Sequence, residues 1–339
     1  MSLVQEEKNI LNYNDLIDSI KDQKCSVFLG AGLSRNAGYI GWKELLIKLS
    51  KLAGEDEDYR KQRVKNPRTW DEWALECKNK IRSDEEGKYR DFLIETYGPN
   101  TEAELTSEPY LNIDKIPFTS FITTNYDPCL YNASRHNGEV RVIHTYPSLP
   151  SHELNQPKPH QFYIHGIIHP DNPEMYANTI ILTSEDYHEA YKQDKQLPNF
   201  LYTLFSSFDV CFIGFGLKDQ FFMDQLERIN NSIHKRALRW EKRGLRLDEK
   251  NRFAILPADN INDSEDSLKD DDGKLNTSEV QVNKLTEKYQ IKVVKYDRMT
   301  ETHRELEALI RKIRKMTSKE PLPDVPPITD FRVEEENYE

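Results

Sequence analysis

Short apolar runs that stop at glycine or at a cluster of small polar residues recur along this 339-residue chain. Cys25–Leu29 runs into Gly30-Ala31-Gly32, and Phe121-Ile122 into Thr123-Thr124-Asn125-Tyr126-Asp127. Phe162-Tyr163-Ile164 runs into His165-Gly166, and Cys211-Phe212-Ile213 into Gly214-Phe215-Gly216. Such runs are too short for a helix and lack polar alternation, so they predict strands buried on both faces. Between them, Leu45, Leu46, Leu49 and Leu52 follow Trp42 at helical spacing, as do Leu306, Leu309, Ile310 and Ile313 near the end. The alternation predicts an α/β fold, a mostly parallel sheet with helices on both faces. Ligands of such sheets bind where strands end, near the point at which strand order reverses.

Further strands are expected at Thr119–Thr123, Val140–His144, Gln161–Ile164, Thr179–Leu182, Phe253–Leu256 and Ile291–Lys295. Asn14 is read as the cap of a first helix, Thr183 or Ser184 as the cap of a helix from Glu185, and Pro198–Phe208 as helical. Thr302 and Glu305 have capping-box spacing ahead of the last helix. Residues 53–115 are charged and poor in β-branched residues, which predicts a helical insertion within one domain spanning 1–316. Asp259–Glu279 reads as a solvated loop and 317–339 as a proline-rich acidic tail.

Hydrophobic residues make up 37% of the chain, enough for a packed core, and no apolar run is long enough to span a membrane. The net charge of −11 disfavours a broad nucleic-acid surface. Cys25, Cys77, Cys129 and Cys211 form no C-x-x-C pair, which excludes a zinc ribbon built from such pairs. With the N-terminal residues reading unlike a secretory signal, the expected compartment is cytoplasmic.

Each strand end offers chemistry and also a plainer role. Gly30, Ala31, Gly32 and Ser34 make either a tight turn or a loop whose N–H groups cradle phosphate. The G-x-x-x-x-G-K-[ST] pattern is absent, which counts against ATP hydrolysis. Thr124, Asn125 and Asp127 leave an apolar strand together. They either cap the next segment or offer an amide to a ribose and its water. His165 is either a satisfied structural residue or a proton acceptor near neutral pH. His144, His160 and His169 lie nearby, but their spacing does not suggest a ligand set, and no metal is expected. Gly214 and Gly216 would line the same crevice, with Asp219 capping the helix that follows.

Taken in order, G-A-G-x-S, T-T-N-Y-D, I-H-G and I-G-F-G resemble the sirtuin superfamily, and most closely the sirtuin-like NAD hydrolases of bacterial antiviral defence. The resemblance runs from about Ser26 to Lys295. It implies a Rossmann-like sheet, Asn125 and His165 as the catalytic pair, and NAD as substrate. The NAD-binding residues would be Gly30, Ala31, Gly32, Ser34, Thr124, Asp127, Gly214 and Gly216. Deacylating sirtuins carry zinc cysteines and a Pro-Asp-Phe-Arg stretch where this chain has Ile40-Gly41-Trp42-Lys43. The departures favour NAD hydrolysis to nicotinamide and ADP-ribose over deacylation. Cyclisation to a cyclic ADP-ribose, or NAD binding without turnover, are the other readings. The resemblance also implies NAD depletion on infection and a trigger: a homo-oligomer, a helicase-type ATPase or an Argonaute-like protein. Direct strong nucleic-acid binding and membrane association are not expected.

Overall fold

A computed structural model describes residues 3–84, 87–99, 106–217, 219–246, 248–258, 278–297 and 304–318. Among the described residues, seven strands form one sheet: β1 (Cys25–Leu29), β2 (Phe121–Thr123), β3 (Ile143–Thr145), β4 (Gln161–Tyr163), β5 (Asp209–Ile213), β6 (Arg252–Pro257) and β7 (Ile291–Tyr296). Every pairing is parallel, and the order is β3-β4-β2-β1-β5-β6-β7. From β1 the chain adds β2, passes to the outer edge for β3, inserts β4 between β3 and β2, then returns to lay β5 on the other side of β1. The order therefore reverses between β1 and β5, and the crevice past their carboxyl ends is the switch point of this Rossmann-like α/β fold.

Strand side chains alternate between two cores, which is why the runs needed no polar positions. Val27 and Leu29 of β1 join Phe121, Tyr163, Cys211 and Ile213 on one face. Phe28 joins Ile122, Phe162, Val210 and Phe212 on the other. The first face is covered by the helices Leu3–Lys21, Trp42–Leu52 and Arg304–Thr317, through Leu16, Ile20, Leu45, Leu49 and Ile310. The second is covered by Gln196–Ser207 and Gln220–Glu241, through Phe200, Leu204, Phe222 and Leu226. Within 53–115 the described residues hold helices at Glu57–Val64, Trp70–Asp84, Lys88–Tyr97 and Glu108–Ile113.

Several local expectations change, and one of them is Thr119–Thr123, which contracts to Phe121–Thr123. Asn14 is not a cap: the first helix begins at Leu3 and Asn14 lies inside it. Thr179–Leu182 is not a strand, although Ile180, Ile181 and Leu182 are buried. The Ile181 N–H donates to the His165 carbonyl and the Ile181 carbonyl accepts from the Tyr126 hydroxyl, so the run lines a loop instead of extending the sheet. Val140–His144 contracts to Ile143–Thr145, with Val140 exposed. Thr183 is the cap of the helix Ser184–His188, in a reciprocal capping box with Asp186. Lys218, Thr302, residues 259–277 of the expected loop and residues 319–339 of the expected tail lie outside the described residues, whereas Ser278 and Glu279 open the helix Ser278–Tyr289 and Thr317 ends the last helix.

Candidate functional site

The glycine loops after β1 and β5 touch backbone to backbone. The Gly30 N–H donates to the Ile213 carbonyl at 3.0 Å, and the Gly32 N–H to the Gly214 carbonyl at 2.9 Å. A Cβ on Gly30 would stand 2.4 Å from the Phe215 Cα, and one on Gly32 2.8 Å from the Gly214 oxygen. Close approach at the switch point is thus the physical reason for glycine at both positions. Those N–H groups are engaged within the fold. Ala31 opens the helical turn Ala31–Ser34, so its N–H has no intrahelical partner. Ala31, Gly32 and Gly216 are exposed and Gly214 half-buried, so the rim of the crevice is accessible.

Asn125 lies two residues past Thr123, and His165 two past Tyr163. Thr123 and Tyr163 are register partners across β2 and β4, which brings Asn125 and His165 to the same level past the sheet edge. Asn125 is buried, and its amide donates to the Ser34 hydroxyl and to the Tyr110 hydroxyl, each at 3.0 Å. Ser34 and Tyr110 lie 2.9 Å apart, which closes a triangle. The Thr123 hydroxyl accepts from the Asn125 backbone N–H and donates to the Leu29 carbonyl, fixing the loop to β1. Asp127 is fully buried and accepts from the Cys129 N–H. Burial pushes its carboxyl up, against hydrogen bonds from Ser34 and Cys129 that hold it down. Thr124 alone of this motif is half-exposed.

His165 is held differently. Its Nε2 lies 2.8 Å from the Tyr191 hydroxyl, and its ring meets Tyr187 edge-on at 5.3 Å. Burial drives its pKa from the ordinary imidazole value down to about 3, so the ring is neutral at physiological pH. Tyr191 sits on a single π-helical turn, Glu189–Gln193, a geometry often found at functional sites. Tyr187 donates to Asp219, which also caps the helix Gln220–Glu241.

Asn125 is therefore engaged by Tyr110 from one core, and His165 by Tyr191 from the other. No hydrogen bond joins them, and each is closed over by an aromatic hydroxyl. Tyr110 and Tyr191 carry no motif and were not singled out in the sequence. The spacing of Tyr187 and Tyr191, four residues apart on a helical stretch, is the one local signal for the second. A cavity of about 760 Å3 elsewhere, bordered by Glu55, Tyr59 and Glu76, contains none of the motif residues.

A parallel sheet wound both ways from β1, with two glycine loops meeting at its reversal point and an amide and an imidazole beside them, defines a Rossmann-like domain of one class. The chain belongs to the SIR2-like domain family, whose pattern matches residues 119–293. It is 26% identical over 314 residues to the NAD(+) hydrolase ThsA of Enterococcus faecium, covering 88% of this chain and 56% of that protein. It is 28% identical over 141 residues to the NAD(+) hydrolase ThsA of Acinetobacter baumannii (strain 532279), covering 41% of this chain and 26% of that one. The chain thus spans about half the length of the first relative and about a quarter of the second. Among solved structures, the crystal structure of a Sir2 homologue–NAD complex aligns over 90% of this chain and 95% of that one, at 14% identity and a TM-score of 0.40. No helix among the described residues is long and apolar enough to cross a membrane.

Proposed function

We propose that this chain hydrolyses NAD at the nicotinamide–ribose bond, giving nicotinamide and ADP-ribose. The carrying observation is the pairing of Asn125 with the Gly30–Ser34 loop through Ser34, at one level with His165. The 26% identity to a protein named as an NAD(+) hydrolase supports the same reading.

In the reaction, the bond from C1′ to the nicotinamide nitrogen breaks and its electron pair leaves with the nitrogen. Nicotinamide departs neutral and needs no acid. Positive charge spreads over C1′ and the ring oxygen, as in other glycoside cleavages. Asn125, having an amide oxygen and two N–H groups and no charge of its own, orients the ribose and the attacking water. The water oxygen bonds to C1′, and its proton goes to His165 Nε2 and then to solvent. A neutral imidazole is the form that accepts it, and the ring gains the basicity this needs when the site opens and the burial that holds its pKa near 3 is relieved. Ala31, Gly32, Ser34, Thr124, Asp127, Gly214 and Gly216 form or support the rim for the dinucleotide, with Ser34 and Asp127 acting from beneath it.

As described, the pair is closed: Asn125 binds two hydroxyls and His165 a third. Turnover therefore requires the Tyr110 and Tyr191 contacts to give way, which suits an enzyme restrained until triggered. We assign the trigger to self-assembly or a protein partner, and the outcome to NAD depletion during phage infection. The same closure favours, as a second reading, an NAD- or ADP-ribose-binding module without turnover. Calorimetric binding of NAD alongside a nicotinamide-release assay separates the two: binding with release supports the hydrolase, and binding without release by wild type and opened variants supports the module. Cellular NAD measured with and without phage tests the defence role. NAD that stays constant on infection of cells carrying the protein would remove that role.

A further inference from the structure

At the outer edge of the sheet, far in topology from the β1–β5 crevice, three potential metal ligands converge. His144 is the central residue of the edge strand β3, and its register partner on β4 is Phe162. Side chains two apart along a strand share a face, so His160, directly before β4, stands on the same face as Phe162. The His144 ring lies on Phe162 at 4.9 Å and 23°, and meets the His160 ring at 5.1 Å. Glu153 comes from a third element, the 3-10 turn Ser151–Asn155, anchored by the buried Leu154.

The donor atoms are already near coordinating distances. His144 Nε2 and His160 Nδ1 are 3.0 Å apart, and His160 Nδ1 and Glu153 Oε2 are 3.4 Å apart. All three donor atoms lie within 4.8 Å of one another. Ligand atoms about 2.0–2.1 Å from a tetrahedral zinc ion stand about 3.3–3.4 Å apart. Two imidazoles and one carboxylate are a recurring zinc donor set, with the fourth position left to water.

We propose that His144, Glu153 and His160 bind one divalent transition-metal ion of the zinc class, joining the edge strand, the 3-10 turn and the start of β4. The ion is a staple for this sheet edge and takes no part in chemistry at Asn125 and His165. The three residues come from separate elements, so their spacing in the sequence conceals them.

The test uses untagged, chelator-stripped full-length protein titrated with Zn2+ by calorimetry and with Co2+ by visible absorption. The expected result is one ion per chain and a raised thermal midpoint. His144→Ala and His160→Ala should weaken binding about 100-fold or more, beyond what loss of an outer-shell partner costs. Glu153→Gln, on a partly exposed turn that tolerates the change, should weaken it as well and keeps the test open if a histidine variant misfolds. Stoichiometric binding that all three variants retain, or the absence of saturable binding to wild type, would overturn the site and leave a histidine–histidine–glutamate hydrogen-bond cluster.

Discussion

Asn125 donates its side-chain amide to the Ser34 hydroxyl at 3.0 Å, across ninety-one residues of sequence. The bond joins the first glycine motif to the T-T-N-Y-D motif and makes one unit of two strand ends. Ser34→Ala deletes this acceptor but leaves Tyr110 to hold the amide. The expected result is a stability loss of about 1 kcal/mol and a fall in kcat for NAD, smaller than that of Asn125→Ala. Steady-state nicotinamide release with urea unfolding checks both.

Tyr191 closes over His165, and Tyr191→Phe removes the hydroxyl while keeping the ring. The variant leaves Nε2 buried without that partner, at a cost of about 1–3 kcal/mol. Basal nicotinamide release should rise, because an unpartnered Nε2 no longer favours the closed arrangement over one opened to water. A Tyr191→Phe protein as inactive as His165→Ala would make the hydroxyl part of the catalytic machinery instead of a restraint.

How much of this was legible in the sequence divides by the range of the interaction. β1 and β5 fall where their apolar runs fall, at Cys25–Leu29 and Asp209–Ile213, since a strand buried on both faces leaves an unbroken apolar signature. Thr179–Leu182 has the same signature, but its burial comes from packing beneath the His165 loop, which local pattern does not encode. The glycine positions were legible, although their reason proved to be contact between the two loops. Tyr110 and Tyr191 were not, because a tyrosine acquires its partner only when helices from opposite layers close on the strand ends.

The buried His165 makes stability depend on pH. Its pKa is about 6.5 in the unfolded chain and about 3 in the folded one, so between these values the unfolded state binds the proton and the folded state does not. Stability therefore falls as pH falls through that window, by up to roughly 1.4 kcal/mol per pH unit from this ring. His165→Gln removes the contribution. The difference between urea midpoints at neutral and mildly acidic pH should be smaller for the variant than for wild type. An equal difference would mean that the ring already titrates normally in the fold.

The central claim is that Asn125 and His165 together cleave the nicotinamide–ribose bond. The direct measurement is nicotinamide and ADP-ribose released from NAD by wild type, Tyr191→Phe, Asn125→Ala and His165→Ala proteins, each shown by circular dichroism to be folded. Equimolar products from wild type or from Tyr191→Phe, with turnover lowered by about 100-fold or more in both alanine variants, is the result predicted. NAD consumed by the alanine variants at the wild-type rate, or left intact by wild type and Tyr191→Phe alike, would contradict it.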